Sequence, residues 1–174
     1  MNFSGTGCCA AREDSTGHRL RRCSVDVGVV DYSNRVYPAE SFHAVTHSGD
    51  QIDGARREGV HSIDLRLRSL RRTQCMFFTM SAWAGAKLRD IRQPHVRLYD
   101  KASGHELCRY NFCDTERSAT VAYGDSSCVI MCKVWRRDQN KPWEVEALGQ
   151  LCNGAADNYD PIRVAVERML PPRS

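Results

Sequence analysis

The sequence predicts an all-β, mainly antiparallel domain, a β-sandwich closed by one short C-terminal helix. Three observations point there. Short segments with two-residue alternation or continuous apolar character recur along the chain, separated by Gly, Asp, Asn, Ser and Pro turn signals. The period turns helical only in the tail, where Ile162, Ala165, Val166 and Met169 fall on one helical face. At 174 residues and 41% hydrophobic content, the chain suits a single domain with a real core.

Residues 1–22 show no core-forming periodicity. Gly5, Gly7 and Gly17, with Ser4 and Ser15, predict a flexible, irregular extension, and Arg19, Arg21 and Arg22 make it basic. It offers too little apolar area to offset backbone ordering, about 1–2 kcal/mol per residue. It is therefore expected to be held by a partner, and its deletion to leave the melting temperature of the isolated domain nearly unchanged.

The main domain is expected over residues 23–154. Residues 23–31 alternate, with Val25, Val27 and Val29 on one face and Ser24, Asp26 and Gly28 on the other. Residues 35–45 form a second strand candidate interrupted by Pro38, which suggests an edge or a bulge. Residues 47–67 begin as a polar loop, in which Gly49 and Gly54 permit tight turns and Asp50 and Asp53 bring two carboxylates together. The stretch ends as a strand with Ile63, Leu65 and Leu67 on one face. Residues 74–83 are apolar on both faces, as a buried middle strand requires.

Residues 94–100 and 105–112 read as a hairpin turning at Gly104, and residues 119–123 as a short strand. Residues 127–136 and 143–148 make another hairpin through a polar turn. Phe77, Phe78, Val96, Leu98 and Trp143 are expected in or near the core, each contributing about 1.5–3 kcal/mol if buried. In the helical tail, residues 155–174, Asp160 caps a helix with Pro161 at its first position, and Pro171-Pro172 ends it.

Four segments, in order, resemble the tellurium-resistance TerD-like domain family. They are SVDVGVVDYSNRV (24–36), HSGD with the following Gly and I-D-L strand (47–65), VRLYDKASGHELCRYNF (96–112) and WEVEALGQ (143–150). The resemblance covers roughly residues 23–154 and implies a calcium-binding β-sandwich. It also implies an additional opening strand, which the first 22 residues do not reveal.

The implied calcium site carries over only in part. Asp26 matches one carboxylate of the early Asp-x-Asp, but Ser24 stands at its partner position; Asp50 matches the Asp of the central motif. Where the family has an acidic run, this chain has Ala55-Arg56-Arg57-Glu58. Calcium takes about 6–8 oxygen ligands, several of them carboxylates. Asp26, Asp50 and Asp53 are the candidate ligands of a weak or degenerate site, with Arg56 and Arg57 opposing the ion. No other cofactor is expected.

Nine cysteines form no compact framework, so reduced thiols are expected. Zinc on Cys108 and Cys113, or on Cys128 and Cys132, is the sharper but less favoured reading. The net charge is +4, with 21 Arg against 4 Lys, a balance that suits interfaces and equally a biased base composition. Nucleic acid is a lesser reading: Arg66, Arg68, Arg71, Arg72, Arg136 and Arg137 are dense, yet aromatics are not interleaved with them.

No apolar run reaches the roughly 18 residues of a membrane span. A cytoplasmic setting is expected, with a cytoskeletal or axonemal one as a guess, while the four arginines of the first 22 residues leave a mitochondrial presequence open.

No nucleophile signature, phosphate-binding loop or His-x-x-x-His helix is present, so a non-enzyme is expected. The favoured reading is a structural or adaptor subunit of a larger assembly, with Arg19, Arg21, Arg22, Arg56, Arg57, Arg71 and Arg72 contacting other proteins or an acidic polymer such as tubulin. The alternative is a calcium-binding stress-response module.

Overall fold

The computed structural model describes residues 3–12, 26–37, 43–49, 51–53, 58–71, 73–82, 85–91, 95–111, 123–155 and 157–170. Among them are eleven strands and one α-helix. The strands are β1 (Phe3–Arg12), β2 (Asp26–Val30), β3 (Val45–His47), β4 (Gln51–Asp53), β5 (Glu58–Val60), β6 (Ile63–Leu65), β7 (Thr73–Ala82), β8 (His95–Tyr99), β9 (Glu106–Asn111), β10 (Cys128–Trp135) and β11 (Glu144–Cys152). The helix, α1, is Asp160–Met169. The fold is all-β and antiparallel, with one short C-terminal helix, as the sequence predicts.

One five-stranded sheet organises the molecule, in the order β11-β10-β7-β1-β2. Its middle strand is β7, the segment apolar on both faces. Met76 points into a cluster with Val30, Tyr37, Val45, Leu70 and Val134, while Cys75 and Phe77 point the other way, toward Ile130, Ile162 and Val166. A strand with two buried faces needs a cover on each side. The β3–β6 pair supplies part of one through Val45, Ile63 and Leu65, and α1 supplies the other through Ile162 and Val166.

Of the expected core residues, Phe77 is fully buried. Phe78, Trp143 and Val96 are partly buried against core clusters, and Leu98 is half-buried on β8. The remaining described strands form three separate two-stranded ladders, β3–β6, β4–β5 and β8–β9.

Bulges set which side chains face which layer. Between Ile130 and Cys132, Met131 is an extra residue against β7, where Thr79 and Phe78 are consecutive partners. On the other side, Leu148 and Gly149 both oppose Met131, with Gly149 at φ +62°. Such an insertion shifts the alternation by one. Cys128 and Ile130 therefore share the face of Phe77 and α1, while Cys132 and Val134 share that of Met76.

The irregular extension needs correction. Phe3–Arg12 is a strand hydrogen-bonded to β7 on one side and β2 on the other, so the segment is not irregular over these residues. Its own sequence hides it because Gly5, Gly7 and small residues carry little strand signal. The expectation that the domain is indifferent to this segment falls with it, since deletion would part β2 from β7. Arg19, Arg21 and Arg22 lie outside the described residues.

Two smaller corrections follow. Of the strand candidate over residues 35–45, Val36 makes one bridge to Thr46 and Val45 enters a strand, with residues 38–42 outside the described set. The helix is capped at Tyr159 instead of Asp160, without a side-chain cap bond. The Tyr159 hydroxyl instead donates to Asp31 Oδ2 at 2.6 Å, tying the helix start to the end of β2.

Candidate functional site

The central motif is a turn between β3 and the β4–β5 ladder. Gly49 adopts φ +79°, a conformation that strains any residue with a Cβ. Around it the motif closes on itself. The Gly49 N–H donates to His47 Nδ1 at 2.9 Å, the Ser48 hydroxyl donates to the Gly49 carbonyl at 2.9 Å, and the Ser62 N–H donates to Ser48 Oγ at 3.0 Å. His47 is 5% exposed, with its ring centroid 5.6 Å from that of His61. Since His47 Nδ1 accepts a hydrogen bond, the ring is the neutral tautomer with its proton on Nε2.

A cation lies against this turn. A Cβ built on Gly49 would sit 2.5 Å from Arg35 Cζ and 2.7 Å from its Nη2, so glycine is required by the guanidinium as well as by φ. The backbone carries Arg35 to that place: the His47 N–H donates to the Arg35 carbonyl at 2.8 Å, and Arg35 Nε donates to the Tyr32 carbonyl at 3.1 Å. Sequence reasoning missed Arg35, because it looked for cations within the loop and this one comes from eleven or more residues upstream. On the neighbouring strand, Asp64 of β6 is paired with Lys101.

Of the candidate metal ligands, Asp26 lies in β2 and Asp53 in β4, but their side chains are outside the described set, as is the whole of Asp50. Arg56, Arg57 and Arg72 also lie outside the described residues. Among the described residues, no three His, Cys, Asp or Glu side chains converge to hold a metal ion. Of the described groups around the motif, a guanidinium lies against the glycine, and the histidine turns its acceptor to a backbone N–H.

Asp31, at the end of β2, is the other organised carboxylate. Its Oδ1 accepts from the Ser33 N–H, the Ser33 hydroxyl and the Asn34 N–H at 2.7–2.8 Å. Burial alone would raise its pKa, but the bonds from Tyr159, Asn34 and Ser33 prevail and hold it below the ordinary value. This carboxylate closes a turn and anchors a helix, and its acceptor sites are filled.

Two of the arginines that suggested a basic patch have different fates. Arg71 is exposed. Arg136 is 8% exposed: its Nε donates to the Thr73 carbonyl at 3.1 Å, its Nη2 to the carbonyls of Leu70, Arg71 and Thr73, and its guanidinium stacks 4.5 Å above the Trp143 ring. It fastens the turn before β7 to the β10–β11 turn and presents no surface to phosphate. The zinc reading fails for Cys128 and Cys132, because the bulge between them sends the two thiols to opposite faces of β10.

The described strands, all antiparallel, with a closing helix and a glycine turn after β3, define the class of fold as an all-β domain. The TerD domain family model matches residues 20–158, most of the chain, and the protein belongs to that family. No curated protein matches it. No helix among the described residues is long and apolar enough to cross a membrane.

Proposed function

We propose that this TerD-domain protein is a non-enzymatic adaptor whose calcium loop carries its own cation in place of the metal. The observation that supports this reading is the Arg35 guanidinium against Gly49. Like charges about 4 Å apart repel by roughly 4 kcal/mol at an effective dielectric of 20, and a divalent ion doubles that before solvent screens it. The same logic extends to Ser24, Arg56 and Arg57, which remove one carboxylate and add two cations to the family pattern. The buried, hydrogen-bonded His47 is poorly suited to act as a general base. The proposed partners are proteins of a larger assembly with acidic surfaces, a tubulin-type polymer among the candidates, approached through exposed arginines such as Arg71.

The second reading is a calcium-binding stress-response module. Family membership and the intact Gly49 turn leading into Asp50 favour it. Calorimetric titration of the full chain with calcium separates the two. The adaptor reading expects no micromolar isotherm, and expects Arg35→Ser combined with Arg56→Glu and Arg57→Glu to gain affinity. A micromolar isotherm in the unmodified chain that disappears in Asp50→Ala would establish the second reading instead.

A further inference from the structure

Cys128 is the first residue of β10 and Cys152 the last of β11, and the ladder pairs them directly. Register partners on antiparallel strands put their side chains on one face, here the face under α1, where both pack in the cluster of Phe77, Ile130 and Ile162. Directly opposed Cα atoms on such a ladder stand about 4.5–5.5 Å apart, inside the roughly 4.4–6.8 Å that a disulfide spans. Neither residue is in a disulfide.

Two donors converge on the Cys152 sulfur, the Cys128 thiol and the Gly154 N–H. Gly154 is itself fixed. Its carbonyl accepts from Ser127 Oγ at 2.8 Å, and a Cβ there would lie 2.1 Å from Ile162 Cγ1. Cys128 is fully buried, whereas Cys152 is half-buried. The outer thiol is thus met first by a small oxidant, with the inner one waiting behind it. Neither of the other described thiols competes: Cys132 lies on the opposite face of β10, and Cys75 is six residues further along β7 than Ser81, the partner of Cys128, about 20 Å away.

We propose that Cys128 and Cys152 are a redox-modification site, a dithiol that a hydroperoxide closes reversibly into a disulfide across the β10–β11 ladder. The Cys152 thiolate attacks the peroxide oxygen; the O–O bond breaks, hydroxide leaves, and Cys152 becomes a sulfenic acid. The Cys128 sulfur then attacks the Cys152 sulfur. The S–S bond forms as the S–O bond breaks, and the departing oxygen leaves as water with the Cys128 proton. In sum, two thiols and one hydrogen peroxide give one disulfide and two waters. The hydrogen bonds from Cys128 and Gly154 stabilise the attacking thiolate against burial, bringing the Cys152 pKa down to about 7, while burial pushes Cys75 up to about 12.

The test uses the native full-length chain and hydrogen peroxide, followed by alkylation of the remaining thiols and non-reducing peptide mapping. The expected product is one linked species joining the Cys128 and Cys152 peptides, lighter by two hydrogens than their reduced sum and restored by dithiothreitol. Cys152→Ser should abolish the link and leave Cys128 alkylatable after denaturation. Without any variant, iodoacetamide should modify Cys152 on the order of tenfold faster than Cys75 at neutral pH. Dominant linkage through another cysteine, over-oxidation of Cys152 with Cys128 still reduced, or two unreacted thiols would each overturn the proposal. So would an alkylation midpoint for Cys152 at the ordinary thiol value, about 8.5.

Discussion

β10 and β8 each open an antiparallel hairpin, and the two turns use the same chemistry. In the first, Asp138 Oδ1 accepts the Asn140 N–H at 2.8 Å; in the second, Asp100 Oδ1 accepts the Ala102 N–H at 3.0 Å. Yet β10 buries Cys128, Val129, Ile130, Met131 and Val134, whereas β8 alternates between exposed and half-buried residues. β10 lies between β7 and β11 beneath α1, while among the described strands β8 pairs with β9 alone, reaching the core through Val96. The difference teaches that a favourable turn fixes the register of a hairpin, whereas burial decides whether the domain depends on it.

That contrast breaks first at Ile130, which is fully buried. Ile130→Ala should cost about 2–5 kcal/mol in urea unfolding, as large-to-small core substitutions do. A loss below about 1 kcal/mol would mean that the face under α1 is not tightly packed.

The next largest effect separates two aspartates whose pKa values both lie low. Asp31 is buried and held by Tyr159, Asn34 and Ser33; Asp100 is fully exposed and held first by the Ser103 hydroxyl, then by the Ala102 N–H. Because the folded pKa of Asp31 is depressed, its stabilisation is present above the unfolded value and is lost as pH falls through the folded one. Asp31→Asn should cost about 1–3 kcal/mol at neutral pH. Paired unfolding curves down the acid limb should show this cost shrinking as the wild-type carboxylate protonates. Asp100→Asn should leave the global unfolding midpoint unchanged. Equal sensitivity at the two positions would mean that burial does not decide which turns the domain depends on.

The smallest expected effect is at the ion pair that joins the β8–β9 turn to β6. Lys101, in the β8–β9 turn, pairs with Asp64 of β6, and both side chains are largely exposed. Lys101→Ala should change stability by at most about 1 kcal/mol, a difference that molar salt should screen away. A larger, salt-insensitive loss would make the hairpin part of the core.

β7 and β1 show how far the sequence could be read. Apolar side chains on both faces announced β7 without ambiguity. β1 lies beside it in the same sheet and was taken for an extension, because what holds it is backbone pairing to two neighbours, and its Gly-rich sequence carries no trace of them. The candidate site divides similarly. The Gly49 turn was legible, since positive φ selects glycine, and so was the strand presenting Ile63 and Leu65, although it ends before Leu67, which opens a 3-10 turn. Arg35 over that glycine was not, nor was the withdrawal of Arg136 beneath Trp143, because each depends on a tertiary approach that leaves no local period. The pairing of Cys128 with Cys152 depends on a register counted through a bulge.

The same bulge has a further consequence at the rim of the sheet. β11 is an outer strand, with its far side unpaired in the described sheet, and a long outer strand is a template onto which another chain can add. Leu148 and Gly149 kink it midway, and Gly149 at φ +62° turns the peptide groups out of line, so no straight run spans its nine residues. Exposed Glu144 and Glu146 would line up like charges in a copy added parallel and in register. The irregularity that begins at Met131 inside the sheet thus continues to its rim, where Leu148 and Gly149 blunt β11 against fibre-like stacking.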